Sequence, residues 1–100
     1  MRKSVNEAML ILQEECAEVT QAVSKVFRFG FDSEHQGKTN KEMLEEEIGD
    51  LLCMIDILIE QCVINDEEVN IARKNKRQKL KKWSKVLRDD NTPIDVDGYA

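Results

Sequence analysis

Proline, glycine and aromatic side chains are scarce in this chain: of 100 residues one is proline, four are glycine and five are aromatic. That excludes a sandwich or barrel, which needs a turn about every 8 to 12 residues. Long apolar runs are missing too. The longest, Leu51 to Ile59, is interrupted by Asp56 and falls short of the ~20 residues that span a bilayer. Glu7 interrupts the stretch after Arg2 and Lys3 where a secretory signal would begin, so a cytoplasmic protein is expected. Cysteines number three, Cys16, Cys53 and Cys62, with no C-x-x-C spacing, which suits neither a disulfide framework nor a thiolate zinc site. Cys16 and Cys62 fall on apolar stripes and are expected to be small buried hydrophobes.

What the chain does have is charge and helical period. It is 41% apolar and 35% charged, a single soluble domain by length and composition. The net charge of −5 conceals segregation. Residues 1–31 are neutral overall, 32–72 carry −10, 73–88 carry nine bases and no acid, and 89–100 add −4. An acidic middle suits cations; a basic segment suits phosphate or an acidic partner.

Three helical patterns follow. The first opens at Ser4, with Glu7 placed for a capping box. Val5, Met9, Leu12, Cys16, Val19, Val23 and Val26 then recur at alternating spacings of four and three, the seam of a helix packed along another. Phe29-Gly30 ends it, and residues 30–39 read as a loop. The second starts at Thr39 or Asn40, boxed by Glu42, with the stripe Leu44, Ile48, Leu51, Ile55, Leu58 and Cys62. The third starts at Asn65, boxed by Glu68, and runs through Val69, Ala72, Leu80, Trp83 and Leu87, with Lys76 breaking its stripe. The expected fold is all-α: an antiparallel bundle of three long helices over residues 1–88, followed by an extended tail at 89–100. Met43, Leu52, Met54, Ile59 and Val63 widen the apolar face of the second helix. A face that wide needs more than one packing partner, so a dimer or tetramer with this helix at the interface is expected.

Acids three apart share a helix face, which pairs Glu15 with Glu18, Glu42 with Glu45, and Glu47 with Asp50. Chance alone supplies about four such pairs at this acid content, so orientation must decide. Glu15 lies about 40° from Val19 and Glu47 about 40° from Leu51, both on the shoulder of a seam, whereas Glu42 and Glu45 point to solvent. Two unit charges 4 Å apart repel by ~4 kcal/mol at an effective dielectric of 20. Two interior pairs therefore need compensation by protonation, basic partners or a divalent cation; neither seam offers a basic partner within one turn of both pairs, and oxygen-only ligands favour magnesium or manganese. The bland alternative is a solvated acidic face. A di-iron bundle wants Glu-x-x-His, and the lone histidine, His35, sits in the loop. Lys25 follows Glu18 by one heptad and Arg28 comes one turn later; cations beside a metal cluster suit a polyphosphate, although a surface basic pair would look the same.

These residues resemble the MazG-like, all-alpha nucleoside triphosphate pyrophosphohydrolases. The family pairs Glu-x-x-Glu on one helix with Glu-x-x-Asp on the next; here they read Glu15-Cys16-Ala17-Glu18 and Glu47-Ile48-Gly49-Asp50, the latter followed by Leu51-Leu52. The stretch EECAEVTQAVSKVFRFG, ending at Gly30, is similar to the short members of phages and cyanobacteria, and the likeness covers residues 5–85. It implies Mg2+-dependent hydrolysis, with Mn2+ as a substitute, of a nucleoside triphosphate to a monophosphate and pyrophosphate. Glu15, Glu18, Glu47 and Asp50 would be the metal ligands, and Glu14 would add a ligand or polarise the attacking water. Lys25 and Arg28 would hold phosphates. On the third helix Lys79, then Arg73 and Lys76, would contact the phosphate tail or a neighbouring subunit's substrate. Phage kinship implies a role in nucleotide-pool control in the host cytoplasm and a guanine substrate such as dGTP. The segment Phe27-Arg28-Phe29-Gly30-Phe31 would supply base contacts.

Two other functions compete. Residues 73–88 would serve a nucleic-acid-binding bundle, with Trp83 stacking on bases, although Trp83 falls on an apolar stripe where core packing is favoured. A structural partner protein without activity would keep the bundle, but the complete acidic set argues against it.

Overall fold

The computed structural model describes residues 2–87. Its elements are α1 (Lys3–Phe29), β1 (Glu34–His35), β2 (Lys38–Thr39), α2 (Asn40–Glu60) and α3 (Asp66–Trp83). Three helices and one two-stranded hairpin make an all-α fold, as the periodicity requires. Residues 1–63 form one unit, holding α1, the hairpin and α2; the second unit begins at Ile64 and holds α3. The tail expected at 89–100 lies outside the described residues.

Caps set the helix boundaries: the box expected at Thr39 forms, the one expected at Asn65 forms in one direction only, and the one expected at Ser4 does not form. At α2 the Thr39 hydroxyl accepts from the Glu42 amide at 3.1 Å while Glu42 Oε1 accepts from the Thr39 amide at 3.1 Å, a complete capping box. At α3 the Asn65 side chain accepts from the Glu68 amide at 3.0 Å. At α1 the box expected at Ser4 does not form: the helix begins at Lys3, Arg2 is the N-cap, and Ser4 is a helical residue. The Asn6 amide bonds to the Arg2 carbonyl at 2.9 Å, and that extra backbone bond carries the helix past the hydroxyl cap.

Helices α1 and α2 pack antiparallel. The loop between them is not featureless, as the residue types suggest, but a hairpin pairing Glu34 with Thr39 and His35 with Lys38. Its two-residue turn, Gln36-Gly37, has φ of 53° and 83°. Positive φ at both central positions is the turn geometry whose twist matches antiparallel strands.

The interface between the helices is rotated from its expected place. On α1 the column Val5, Leu12, Val19, Val26 is buried or half-buried, as the stripe predicts. Its companion column is Ala8, Glu15, Ala22, not Met9, Cys16, Val23, which are exposed. On α2, Leu44, Leu51 and Leu58 are accompanied inward by Asn40, Glu47 and Met54, while Ile48 and Cys62 are exposed. Either companion column flanks the shared one by about 40 to 60°. Hydropathy favours the outer columns, but the helices meet on the side where Ala8 and Ala22 let them approach. The cysteines expected to be buried are consequently exposed. Cys62 has a further reason: it follows the end of α2 at φ 59°, its amide bonding to the Ile59 carbonyl and the Val63 amide to the Leu58 carbonyl, each at 2.9 Å. This is a Schellman motif, with Cys62 at the left-handed position that glycine usually fills.

The core is small. Among the described residues Val5, Ala8, Ala22, Val26 and Leu58 are the buried apolar ones, and Leu58, 1% exposed, is the one large side chain fully enclosed. Met9, Leu10, Val23, Ile48 and Leu52 remain exposed. No described residue of α3 is buried, and Trp83, expected in a core, is 77% exposed, with Lys82 Nζ 5.0 Å from its ring centroid.

Candidate active site

The rotated interface carries a carboxylate into the seam from each helix. Glu15 stands one heptad from Ala8 and Ala22, Glu47 one heptad from Asn40 and Met54, and both are half-buried. The expectation that each acidic pair points inward whole needs correction: Glu18 and Asp50 are exposed, because i+3 places the second acid of each pair at the rim. Asp50 still reaches the centre. One oxygen each from Glu15, Glu47 and Asp50 lies within 4.8 Å of the other two. Glu15 Oε2 is buried and has no hydrogen-bond partner.

The electrostatics follow from that crowding. Burial raises the Glu15 carboxyl above the ordinary 4.5, and the charges of Asp50, Glu18 and Glu14 raise it further, in that order. Burial likewise raises Glu47, reinforced by Glu18, Asp50, Glu15 and Glu46. Glu18 is not a member of the close trio, but its charge acts on both seam glutamates. Three hard oxygen donors, from residues one of which also carries an orphaned buried oxygen, form a set that a small divalent cation satisfies. The donors fit such an ion.

Beyond Glu47 lies a cavity of about 390 Å3 between the end of α1, the hairpin and the start of α2. Lys25, half-buried on α1, lines it, as expected of a cation near the acids. Arg28 instead stacks on Phe29, 5.2 Å from the ring centroid. Arg73, Lys76 and Lys79 are exposed on α3, in the second unit. Of the aromatic segment, Phe27 and Phe29 are exposed and Phe31 is half-buried.

Hairpin residues were largely invisible to sequence reasoning. Lys38 Nζ bonds to Glu46 Oε2 at 2.6 Å, which raises the Lys38 ammonium above its ordinary value. Asn40, 6% exposed, donates from Nδ2 to the Gly30 carbonyl at 2.9 Å. Its own amide bonds to the Ser33 carbonyl, and the Lys41 amide bonds to that of Phe31. The available signal was Gln36-Gly37, a turn dipeptide five residues short of the capping glutamate.

A family model, the MazG nucleotide pyrophosphohydrolase domain, matches residues 3–82. The chain belongs to the MazG family. Its members are nucleoside triphosphate pyrophosphohydrolases, hydrolases acting on phosphoric anhydrides. The matched span contains both acidic motifs, the hairpin and most of α3. No curated protein and no solved structure matches the chain. Among the described residues no helix is long and apolar enough to cross a membrane.

Proposed function

We propose that this MazG protein hydrolyses nucleoside triphosphates between the α and β phosphates with Mg2+, for which Mn2+ substitutes, releasing a nucleoside monophosphate and pyrophosphate. The observation that carries this reading is the trio of Glu15, Glu47 and Asp50, each offering an oxygen within 4.8 Å of the others, with Oε2 of Glu15 buried and unpartnered. MazG members typically depend on a divalent metal. When bound, the cation supplies positive charge against the phosphate oxygens and acidifies water.

Glu15, Glu47 and Asp50 hold the cation, and Glu18 adds a fourth carboxylate from the rim. Glu14, exposed beside Glu15, is the acid left to take the proton of the attacking water. The water oxygen bonds to the α phosphorus, the bond from that phosphorus to the bridging oxygen breaks, and pyrophosphate leaves with the bond's electrons. Lys25 meets the phosphates where the cavity adjoins Glu47. Arg28 offers a second cation one turn further along α1; Lys79, Arg73 and Lys76 belong to the second unit and offer cations to a neighbouring subunit's substrate. The exposed apolar residues Ile48 and Leu52 of α2 suit a homo-oligomer, dimer or tetramer. A role in the nucleotide pool, with dGTP as the preferred substrate, rests on the kinship with phage proteins.

Assay of pyrophosphate release from the eight common nucleoside triphosphates with Mg2+ tests the reading. Turnover of at least one, lost in Asp50→Asn, is expected; no release from any would end it.

The exposure of Trp83 favours a second reading: residues 73–88 bind nucleic acid, with the indole stacking on a base. A salt-dependent shift with random duplex or single-stranded DNA would support it, and retention of that shift in Trp83→Ala would remove the indole from it.

A further inference from the structure

The cavity beside the acid cluster contains more than the phosphate chemistry uses. Its charges are nearly balanced. Lys38 is committed to Glu46 at 2.6 Å, which leaves Lys25, among the described residues, as the uncommitted cation on a wall that also carries Glu47. Such walls do not favour a polyphosphate, whose several negative charges want a cluster of cations. They do suit a neutral heterocycle. Gln36 presents an amide and His35 an imidazole, each able to donate and accept, and Met43 adds a polarisable thioether that packs well against flat rings. At about 390 Å3 the space lies within the range of small-molecule sites.

Position and rigidity agree. Glu47 belongs both to the acid cluster and to the cavity wall, so a ligand with its phosphates at Glu47 and Lys25 extends its other end towards the hairpin. That hairpin is held in shape before any ligand arrives, by Asn40 on the Gly30 carbonyl and by the Asn40 and Lys41 amides on Ser33 and Phe31.

We infer that the hairpin cavity holds the nucleoside end of the substrate, and that Gln36 and His35 are the residues that read the base. The inference rests on the nucleotide substrate proposed above and assigns the part of the chain that selects among nucleotides.

His35 is the one histidine of the protein, so its imidazole signals report on the cavity without assignment work. The full chain is titrated with each of four deoxynucleoside monophosphates and, separately, with pyrophosphate, and followed by proton–carbon NMR. The His35 ring signals are expected to shift with at least one monophosphate and to stay in place with pyrophosphate. Gln36→Gly removes the side chain but keeps the turn, since glycine prefers positive φ. In that variant the spread of affinities among the four monophosphates should shrink by about tenfold. Still His35 signals with every monophosphate, while triphosphates are hydrolysed, would overturn the inference and leave the proposed activity standing. An unchanged spread in Gln36→Gly would remove Gln36 from base selection. Absence of both binding and hydrolysis would overturn the inference together with the activity.

Discussion

Glu15 and Glu47 hold matching places in the seams of two antiparallel helices, each inside a heptad column otherwise filled by small, apolar or amide side chains, and their carboxylate oxygens lie within 4.8 Å. The arrangement opposes folding by itself. Raised folded values mean that ionisation is disfavoured in the native state. Stability associated with these two groups is therefore greatest below about 4.5 and declines as pH rises through their raised native values. Glu47→Gln removes one charge from the cluster. The metal-free variant should melt above the wild type at pH 7 and show no such decline from Glu47, while pyrophosphate release falls by about 100-fold or more. Thermal melts in chelator at pH 4 and pH 7, beside the turnover assay, check both halves.

A cation reverses the sign of that repulsion. Saturating the wild type with Mg2+ or Mn2+ at 100 times its dissociation constant should stabilise the fold by about 2.7 kcal/mol, by mass action on the native state. A melting temperature that rises with metal in the wild type and stays flat in Asp50→Asn is the expected result of differential scanning.

Glu42 titrates in the opposite direction. Bonds from the Thr39 amide and hydroxyl hold its carboxyl below 4.5, so the stability it contributes is present above 4.5 and disappears as pH falls through its lowered native value. Thr39→Ala removes the hydroxyl that caps α2 and should cost about 1 kcal/mol. Denaturation in urea from pH 7 down to pH 3 should show the gap between wild type and Thr39→Ala narrowing at the acid end.

Asn40→Ala deletes the donor that ties the end of α1 to the start of α2 through the Gly30 carbonyl. The loss should be about 1 to 2 kcal/mol, because the side chain is buried and its partner is left without it. Asn40→Asp, similar in shape but with no donor, should do no better; the denaturant midpoints of the two variants decide.

Cys62→Gly is expected to stabilise. A left-handed conformation costs an ordinary residue roughly 1 to 2 kcal/mol, and glycine returns part of that to chain entropy in the unfolded state. A net gain of about 0.5 to 1 kcal/mol corresponds to a few degrees in melting temperature for a chain of this size.

The three helices and the caps at Thr39 and Asn65 follow from features local in sequence. Helix period, capping chemistry and a motif pair carry their information within a few turns, so they were legible without coordinates. The Ser4 cap failed because the helix starts two residues earlier, with the Asn6 amide bonded to the Arg2 carbonyl. Trp83 misled because its stripe position said nothing about whether another surface would cover it.

By itself, then, the amino-acid order determined which segments are helical and to which family the chain belongs. Tertiary packing alone decided that Ala8, Glu15 and Ala22 face α2 instead of Met9, Cys16 and Val23, and that a hairpin closes a cavity beside Glu47. The reason is physical. Two columns flanking a helix seam are nearly equivalent by periodicity, and the choice between them is made by how closely two backbones can approach, a quantity neither helix carries alone.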